Sequence, residues 1–175
     1  MQRSVVFLLF LFVVTSGPTL DAGTKRNFPQ PTGYVDDFAK VVDDSTKGRL
    51  NALCTELDQR TNAQIAIVTV QTLGGSSIEE YAHHLFSEWG IGHKEDNRGL
   101  LILLSLSERR YRIEVGRGFE ALFPNDRVAK IGAEMVGDLK VQHYRHALLR
   151  CTRTLASIIA EERRTKLRSM GGDER

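Results

Sequence analysis

Residues 100–106 place the strongest constraint on the fold of this chain. Their sequence, LLILLSL, is apolar at nearly every position, so a strand formed there presents apolar side chains to both faces of a sheet. Such a strand belongs in the centre of a sheet that other elements cover on both sides. Residues 63–70, AQIAIVTV, are rich in β-branched side chains and indicate a second buried strand.

A third strand is expected at residues 111–115, YRIEV. Its tyrosine, isoleucine and valine alternate with an arginine and a glutamate, which is typical of a strand with one buried and one polar face. The connection from residues 100–106 is short and turn-like. The two segments therefore predict an antiparallel hairpin.

Four helices are expected around these strands. Ser45 is expected to cap a helix that runs to about Arg60, and Ser77 with Glu80 forms a capping box at the start of a second helix. Apolar residues at helical spacing predict two more helices, over residues 126–139 and 143–164. The order of elements predicts an α/β fold, a three-layer α/β/α sandwich with a small mixed β-sheet.

The first 22 residues resemble a secretory signal peptide. Arg3 precedes an unbroken apolar run over residues 5–14, and small residues follow, so cleavage is expected after Ser16 or Ala22. Ten helical residues reach about 15 Å, half of the hydrocarbon core of a bilayer. The alternative is an uncleaved N-terminal anchor. Export places the mature chain in the periplasm or outside the cell.

The remaining sequence divides into an extended lead-in (23–33), one α/β/α domain (34–164) and a polar C-terminal tail (165–175). No later segment is apolar enough to span a membrane, so no membrane span is expected in the mature chain. Lys plus Arg is 24 and Asp plus Glu is 22, a balance that argues against nucleic acid as a partner. Cys54 and Cys151 either form a disulfide in the exported protein or are two small buried side chains.

Polar residues gather in three loop-like segments, 33–39, 89–99 and 113–126. Carboxylates and amides from several chain segments are the ligands that a hard cation such as Ca²⁺ or Mg²⁺ takes, and loops at sheet ends are where α/β domains place sites. The alternative is that these loops are solvated, with Asp36, Asp37 and Asp126 acting as turn or helix-cap residues.

These segments resemble the TPM domain, a family that includes thylakoid acid phosphatases and many exported bacterial proteins. The resemblance covers about residues 30–160 and implies an α/β/α sandwich. The matching text is GYVDDFA (33–39), NAQIAIVTV (62–70), SIEEYA (77–82), WGIG (89–92), NRGLLILL (97–104) and RIEVGRGFE (112–120).

The resemblance also implies a set of metal-site residues. Asp37 matches the acidic residue of the first family segment, Asp96 and Asn97 match the pair before the central-strand glycine, and Glu120 matches the glutamate after the Gly-x-Gly loop. The family typically has Asp directly after the proline at position 124, where this chain has Asn125. Either Asn125 occupies that position in the metal site, which then has one negative charge fewer, or a small shift of the loop lets Asp126 occupy it instead.

Two functions follow from the resemblance. The first is a non-catalytic module, responsive to a divalent cation, that binds an envelope protein in protein maintenance or assembly. The second is an acid-phosphatase-like hydrolase in which the metal polarises a phosphomonoester and lowers the pKa of its bound water, with Glu120 or Asp37 as proton acceptor. The sequence identifies no catalytic nucleophile, which favours the module.

Overall fold

The computed structural model describes residues 28–165 and 167–168. The expected signal peptide, the first part of the lead-in and most of the polar tail lie outside these residues. The elements in chain order are β1 (Val35–Asp37), α1 (Asp44–Thr61), β2 (Gln64–Val70), α2 (Ile78–Trp89), β3 (Gly99–Ser105), β4 (Arg110–Val115), a 3-10 turn (Arg117–Phe119), α3 (Asn125–Lys140) and α4 (Tyr144–Glu162).

One four-stranded mixed sheet organises the domain. Its strand order is β1-β2-β3-β4; the first three strands are parallel and β4 runs antiparallel to β3. All residues of β3 are buried, which confirms the central position that its apolar sequence predicts. The hairpin between β3 and β4 is also confirmed.

The first strand, β1, is the element that the sequence patterns do not predict. It has only three residues, VDD, too few for an alternation to be recognised. Val35 pairs with Ile67 of β2, and the Ile67 N–H donates to the Tyr34 carbonyl over 2.7 Å. Residues 35–37 therefore form a strand because they pair with β2, and not because of their own side-chain propensities.

Helices cover both faces of the sheet, so the expected α/β/α sandwich is confirmed. Helices α1, α3 and α4 pack on one face, where Leu57, Ile102 and Leu155 are fully buried within one core cluster. Helix α2 packs on the other face, where Leu85 and Leu103 belong to a second cluster. Alternate residues of β2 and β3 point into opposite clusters, as strand geometry requires.

The helix starts are confirmed with one correction. Ser77 and Glu80 form the expected capping box of α2. At α1, however, Asp43 and not Ser45 is the N-cap, because its carboxylate accepts from both the backbone N–H (2.9 Å) and the hydroxyl (2.8 Å) of Thr46. A carboxylate at this position also interacts favourably with the helix dipole.

Cys54 and Cys151 are free and buried, in agreement with the second of the two alternatives. Burial raises the pKa of each thiol to about 12. Within the described residues, no helix is both long and apolar enough to cross a bilayer. The lead-in packs on α2: the ring centroids of Phe28 and Tyr81 are 5.0 Å apart.

Candidate functional site

Asp37 lies at the C-terminal edge of the parallel strands, where its carboxylate accepts three hydrogen bonds. Its carboxylate accepts the N–H groups of Val41 (3.1 Å) and Val42 (2.8 Å) and the hydroxyl of Thr69. These bonds hold the turn that leaves β1. Asp37 therefore acts as a turn-capping residue, as the solvated-loop alternative expects.

Asp96 and Asn97 lie at the opposite edge, before β3. The Asp96 carboxylate accepts from the Arg98 N–H and from the Asn62 amide, both over 3.2 Å. β3 begins opposite Gln64 of β2, whereas Asp37 lies opposite Thr69. Five residues of strand correspond to about 16 Å, so the structure does not bring Asp37 to the other predicted ligands.

Glu120 lies at the same edge as Asp96 and Asn97 because two glycines allow their loops to touch. The Gly118 N–H donates to the Asn97 carbonyl over 3.2 Å. A Cβ at Gly118 would lie 2.0 Å from the Asp96 carbonyl oxygen, and one at Gly116 would lie 2.4 Å from the Asn97 carbonyl oxygen. Larger residues would separate these loops, so the Gly-Arg-Gly segment serves this close approach.

An open cavity of about 810 Å³ adjoins Glu120 and follows β4. We call it the β4 cleft. Of the predicted site residues, Glu120 and Asn125 line it, whereas Asp126 is exposed in the first turn of α3. The lining residues are Glu79, Tyr111, Arg112, Ile113, Glu114, Val115, Glu120, Phe123, Pro124, Asn125, Val128 and Ala129.

The charged residues of the β4 cleft are mainly acidic. Glu79, Glu114 and Glu120 line it together with one guanidinium, that of Arg112. Arg112 Nε lies 3.0 Å from one oxygen of Glu114, and His83 Nδ1 lies 3.5 Å from the other. Glu79 and Glu114 are additions to the predicted site. Both lie in segments that resemble the TPM domain, SIEEYA and RIEVGRGFE, but the resemblance assigns them no role. The alternation of residues 111–115 places Glu114 and Arg112 on the polar face of their strand.

A second polar cluster surrounds Asp58 of α1. Its carboxylate accepts from the Tyr34 hydroxyl (2.7 Å) and the Gln64 amide (3.2 Å), and His93 Nε2 lies 2.6 Å from its other oxygen. The Gln64 carbonyl oxygen in turn accepts the Gly92 N–H over 2.8 Å. The cluster therefore connects α1, β2 and the loop before β3. No sequence pattern singles out Asp58, and Tyr34 lies in the family-like segment GYVDDFA without an assigned role.

The Asp58 cluster shifts the ionisation of its members. Burial alone would raise the pKa of Asp58, but hydrogen bonds from His93, Tyr34 and Gln64 outweigh burial and hold it below its usual value. The hydrogen bond to Asp58 raises the pKa of His93; burial opposes this, and the charges of Asp58, Asp96 and Glu95 add to it. An Asp58 carboxylate with a protonated His93 is the favoured state in mildly acidic solution.

The predicted metal-site residues do not form one cluster of carboxylates. Within residues 28–165 and 167–168, no group of three or more His, Cys, Asp or Glu side chains is placed to hold a metal ion. The carboxylates of Asp37 and Asp96 already accept hydrogen bonds. Asp37 and Glu120, the two alternative proton acceptors of a hydrolase, lie at opposite edges of the sheet.

Comparison with known proteins gives one family and several similar folds. The TPM domain matches residues 35–158. The structure is similar to the N-terminal domain of a protein from P. gingivalis (TM-score 0.71, 23% identity, 77% of this chain and 86% of that chain). It is also similar to the N-terminal domain of the cg2496 protein from Corynebacterium glutamicum (TM-score 0.59, 15% identity, 75% of this chain and 84% of that chain). A third similar structure is the BA42 protein from Bizionia argentinensis (TM-score 0.59, 13% identity, 69% of this chain and 81% of that chain). A search of curated proteins finds no match.

Proposed function

Since this chain belongs to the TPM domain family, we propose that it is an exported, non-catalytic member that binds a partner protein through the β4 cleft. The observation that carries this proposal is the position of the cleft. A concave surface of about 810 Å³ follows the last strand of the sheet and is lined by three glutamates. Concave surfaces with a few placed polar groups are where proteins bind their ligands.

The chemistry of the lining favours binding over catalysis. The residues that line the cleft include no serine, threonine or cysteine, so the aliphatic hydroxyl and thiol nucleophiles are missing from the lining. Its glutamates remain as candidate bases. Apolar side chains of Phe123 and Val128 lie beside the glutamates. A surface with an apolar floor and an acidic rim is suited to a protein segment that carries both apolar and basic groups.

Export rests on the sequence of the first 22 residues, with Arg3 and the apolar run over residues 5–14. On this basis the partner is a protein of the cell envelope or of the surrounding medium. Maintenance or assembly of envelope proteins is the proposed setting. Fusion of residues 1–27 to a reporter enzyme that is active only after export tests localisation, and a reporter retained in the cytoplasm would contradict it.

A Ca²⁺ or Mg²⁺ ion near Glu120 stays a prediction, on which the proposed binding does not depend. A cation at 100 times its dissociation constant adds about 2.7 kcal/mol to the free energy of unfolding. Thermal melts in EDTA and in CaCl₂ or MgCl₂ test for it. Glu120→Ala should abolish any metal response, whereas Asp37→Ala should keep it and lower stability in both buffers by about 1–3 kcal/mol, because Val41 and Val42 lose their acceptor.

Peptide selection on the folded chain tests the binding function. A random dodecapeptide display library is enriched on the wild-type chain, and the selected peptides are measured against two variants of α3. Ala129 lines the cleft and Ala133, four residues along the same helix, does not; both are exposed. Ala129→Trp should abolish peptide binding and Ala133→Trp should preserve it. Selected peptides that bind both variants equally would refute the cleft as the binding site.

A further inference from the structure

The β4 cleft opens over the outer edge of the sheet. In the described part of the chain, β4 is the last strand of the sheet and pairs only with β3. Both faces of β4 contribute to the cleft, as do Glu79 from α2 on one side of the sheet and Val128 from α3 on the other. A cavity bounded by elements from both faces of a sheet lies along its edge.

The ladder leaves alternate backbone groups of β4 directed into this cleft. The Gly116 N–H donates to the Gly99 carbonyl over 2.8 Å, which fixes the hydrogen-bonded pairs of the β3–β4 ladder. In an antiparallel pair these recur at every second residue, so Glu114 and Arg112 also bond to β3. The residues whose N–H and C=O groups point outward are Tyr111, Ile113 and Val115.

The two sides of the edge differ in chemistry. On the α3 side, the apolar side chains of Phe123 and Val128 line the cleft. On the α2 side lie the carboxylates of Glu79 and Glu114, with Arg112 Nε 3.0 Å from Glu114. Successive side chains of a strand point to opposite faces. A strand laid along this edge would therefore place alternate side chains against apolar groups and against carboxylates.

We infer that an extended partner segment with alternating basic and apolar side chains binds by adding to β4 as a further strand. This inference rests on the proposed function and specifies its ligand. Ile113 and Val115 supply main-chain hydrogen bonds, and the apolar side chains of the segment lie against Phe123 and Val128. Glu79 attracts basic side chains directly, whereas a basic side chain pairs with Glu114 only by replacing Arg112. Addition of a strand to an exposed sheet edge is a common mode of peptide recognition.

Defined heptapeptides test this inference on the folded chain. The probe is an acetylated, amidated peptide of alternating lysine and valine that begins and ends with lysine. One control replaces each lysine by glutamate. A second control carries N-methyl groups on its three central residues, which removes amide donors from both edges of the peptide. Affinity is measured by calorimetry, and amide hydrogen exchange of Ile113 and Val115 is measured by NMR.

The lysine–valine peptide should bind at least about tenfold more tightly than either control and should slow exchange at Ile113 and Val115. Ala129→Trp should abolish this binding and Ala133→Trp should not. Equal affinity of the N-methylated peptide, or unchanged exchange at Ile113 and Val115 in the complex, would overturn strand addition. The cleft would still stand as a binding site if Ala129→Trp alone blocked the peptide.

Two further outcomes separate this inference from the proposed function. If none of the heptapeptides binds, the inference is wrong, and the library selection decides independently whether the cleft binds anything. If exchange at Ile113 and Val115 slows with increasing concentration of the chain alone, the edge pairs with a second copy of the chain. That result would also overturn the inference, since the edge would then be occupied without the partner segment.

Discussion

Replacement of Asp58 by Asn isolates the charge at the centre of the Asp58 cluster. The wild-type carboxylate has three close partners: Tyr34 at 2.7 Å, His93 at 2.6 Å and Gln64 at 3.2 Å. An amide has a single acceptor oxygen, so at least one of these donors loses its bond. Since hydrogen bonds to charged groups contribute about 1.5–3 kcal/mol, we expect Asp58→Asn to lower the free energy of unfolding by that amount near pH 6.

The loss should depend on pH with a defined sign. The folded-state pKa of His93 is raised, so its contribution is complete below its unfolded pKa of about 6.5 and is lost as the pH rises through the folded value. The folded-state pKa of Asp58 is lowered, so its contribution is present above about pH 3.9 and is lost as the pH falls through the folded value. The difference between wild type and variant should therefore be widest at about pH 4–6.5.

Urea unfolding at intervals between pH 3 and pH 9 measures this difference, and NMR titration of the His93 ring measures its pKa in both proteins. Glu88→Gln at the end of α2 is the matched control: Glu88 is exposed and is not among the charges that raise the pKa of His93, so the change should stay within about 0.5 kcal/mol. A constant difference between wild type and Asp58→Asn across the pH range, or one that widens above pH 7, would refute the reasoning.

Three other perturbations test the packing that positions the site. Arg98→Met removes a buried guanidinium that donates hydrogen bonds to Glu162 of α4 and should cost about 1.5–3 kcal/mol in urea unfolding; an unchanged midpoint would contradict this. Gly118→Ala should cost about 1–3 kcal/mol, since its Cβ would lie 2.0 Å from a carbonyl oxygen, whereas Gly137→Ala, with nothing within 4 Å, should stabilise the helix by about 0.5–1 kcal/mol. Cys54 and Cys151 are buried and should react with a thiol reagent only as fast as the domain opens. Rapid labelling of the folded chain would show that the two thiols are exposed to solvent.

The buried part of the fold could be predicted from sequence because its signals are local. The run from Leu100 to Leu104 is apolar on both faces, and all of β3 is indeed buried. The capping box at Ser77 marks the start of α2 for the same reason, since both of its partners lie within one helical turn. Such features need no knowledge of the rest of the chain.

The site could not be predicted in the same way because its parts are distant in sequence. Asp58 meets Tyr34 across 24 positions and His93 across 35, and no spacing rule connects them. The β4 cleft likewise joins Glu79 of α2 to Glu120 beyond β4. A family resemblance matches residues by their order along the chain and does not say which of them are close in space. In the folded chain, Asp37 and Asp96 lie at opposite ends of the parallel strands.

The most direct test of the account is a map of amide chemical shifts in the labelled chain as a library-selected peptide is added. The largest changes should occur along β4, at Ile113 and Val115, and in the first turn of α3, at Asn125. Changes centred instead on Asp58 and its partners, with β4 unaffected, would show that the functional surface lies at the other polar cluster.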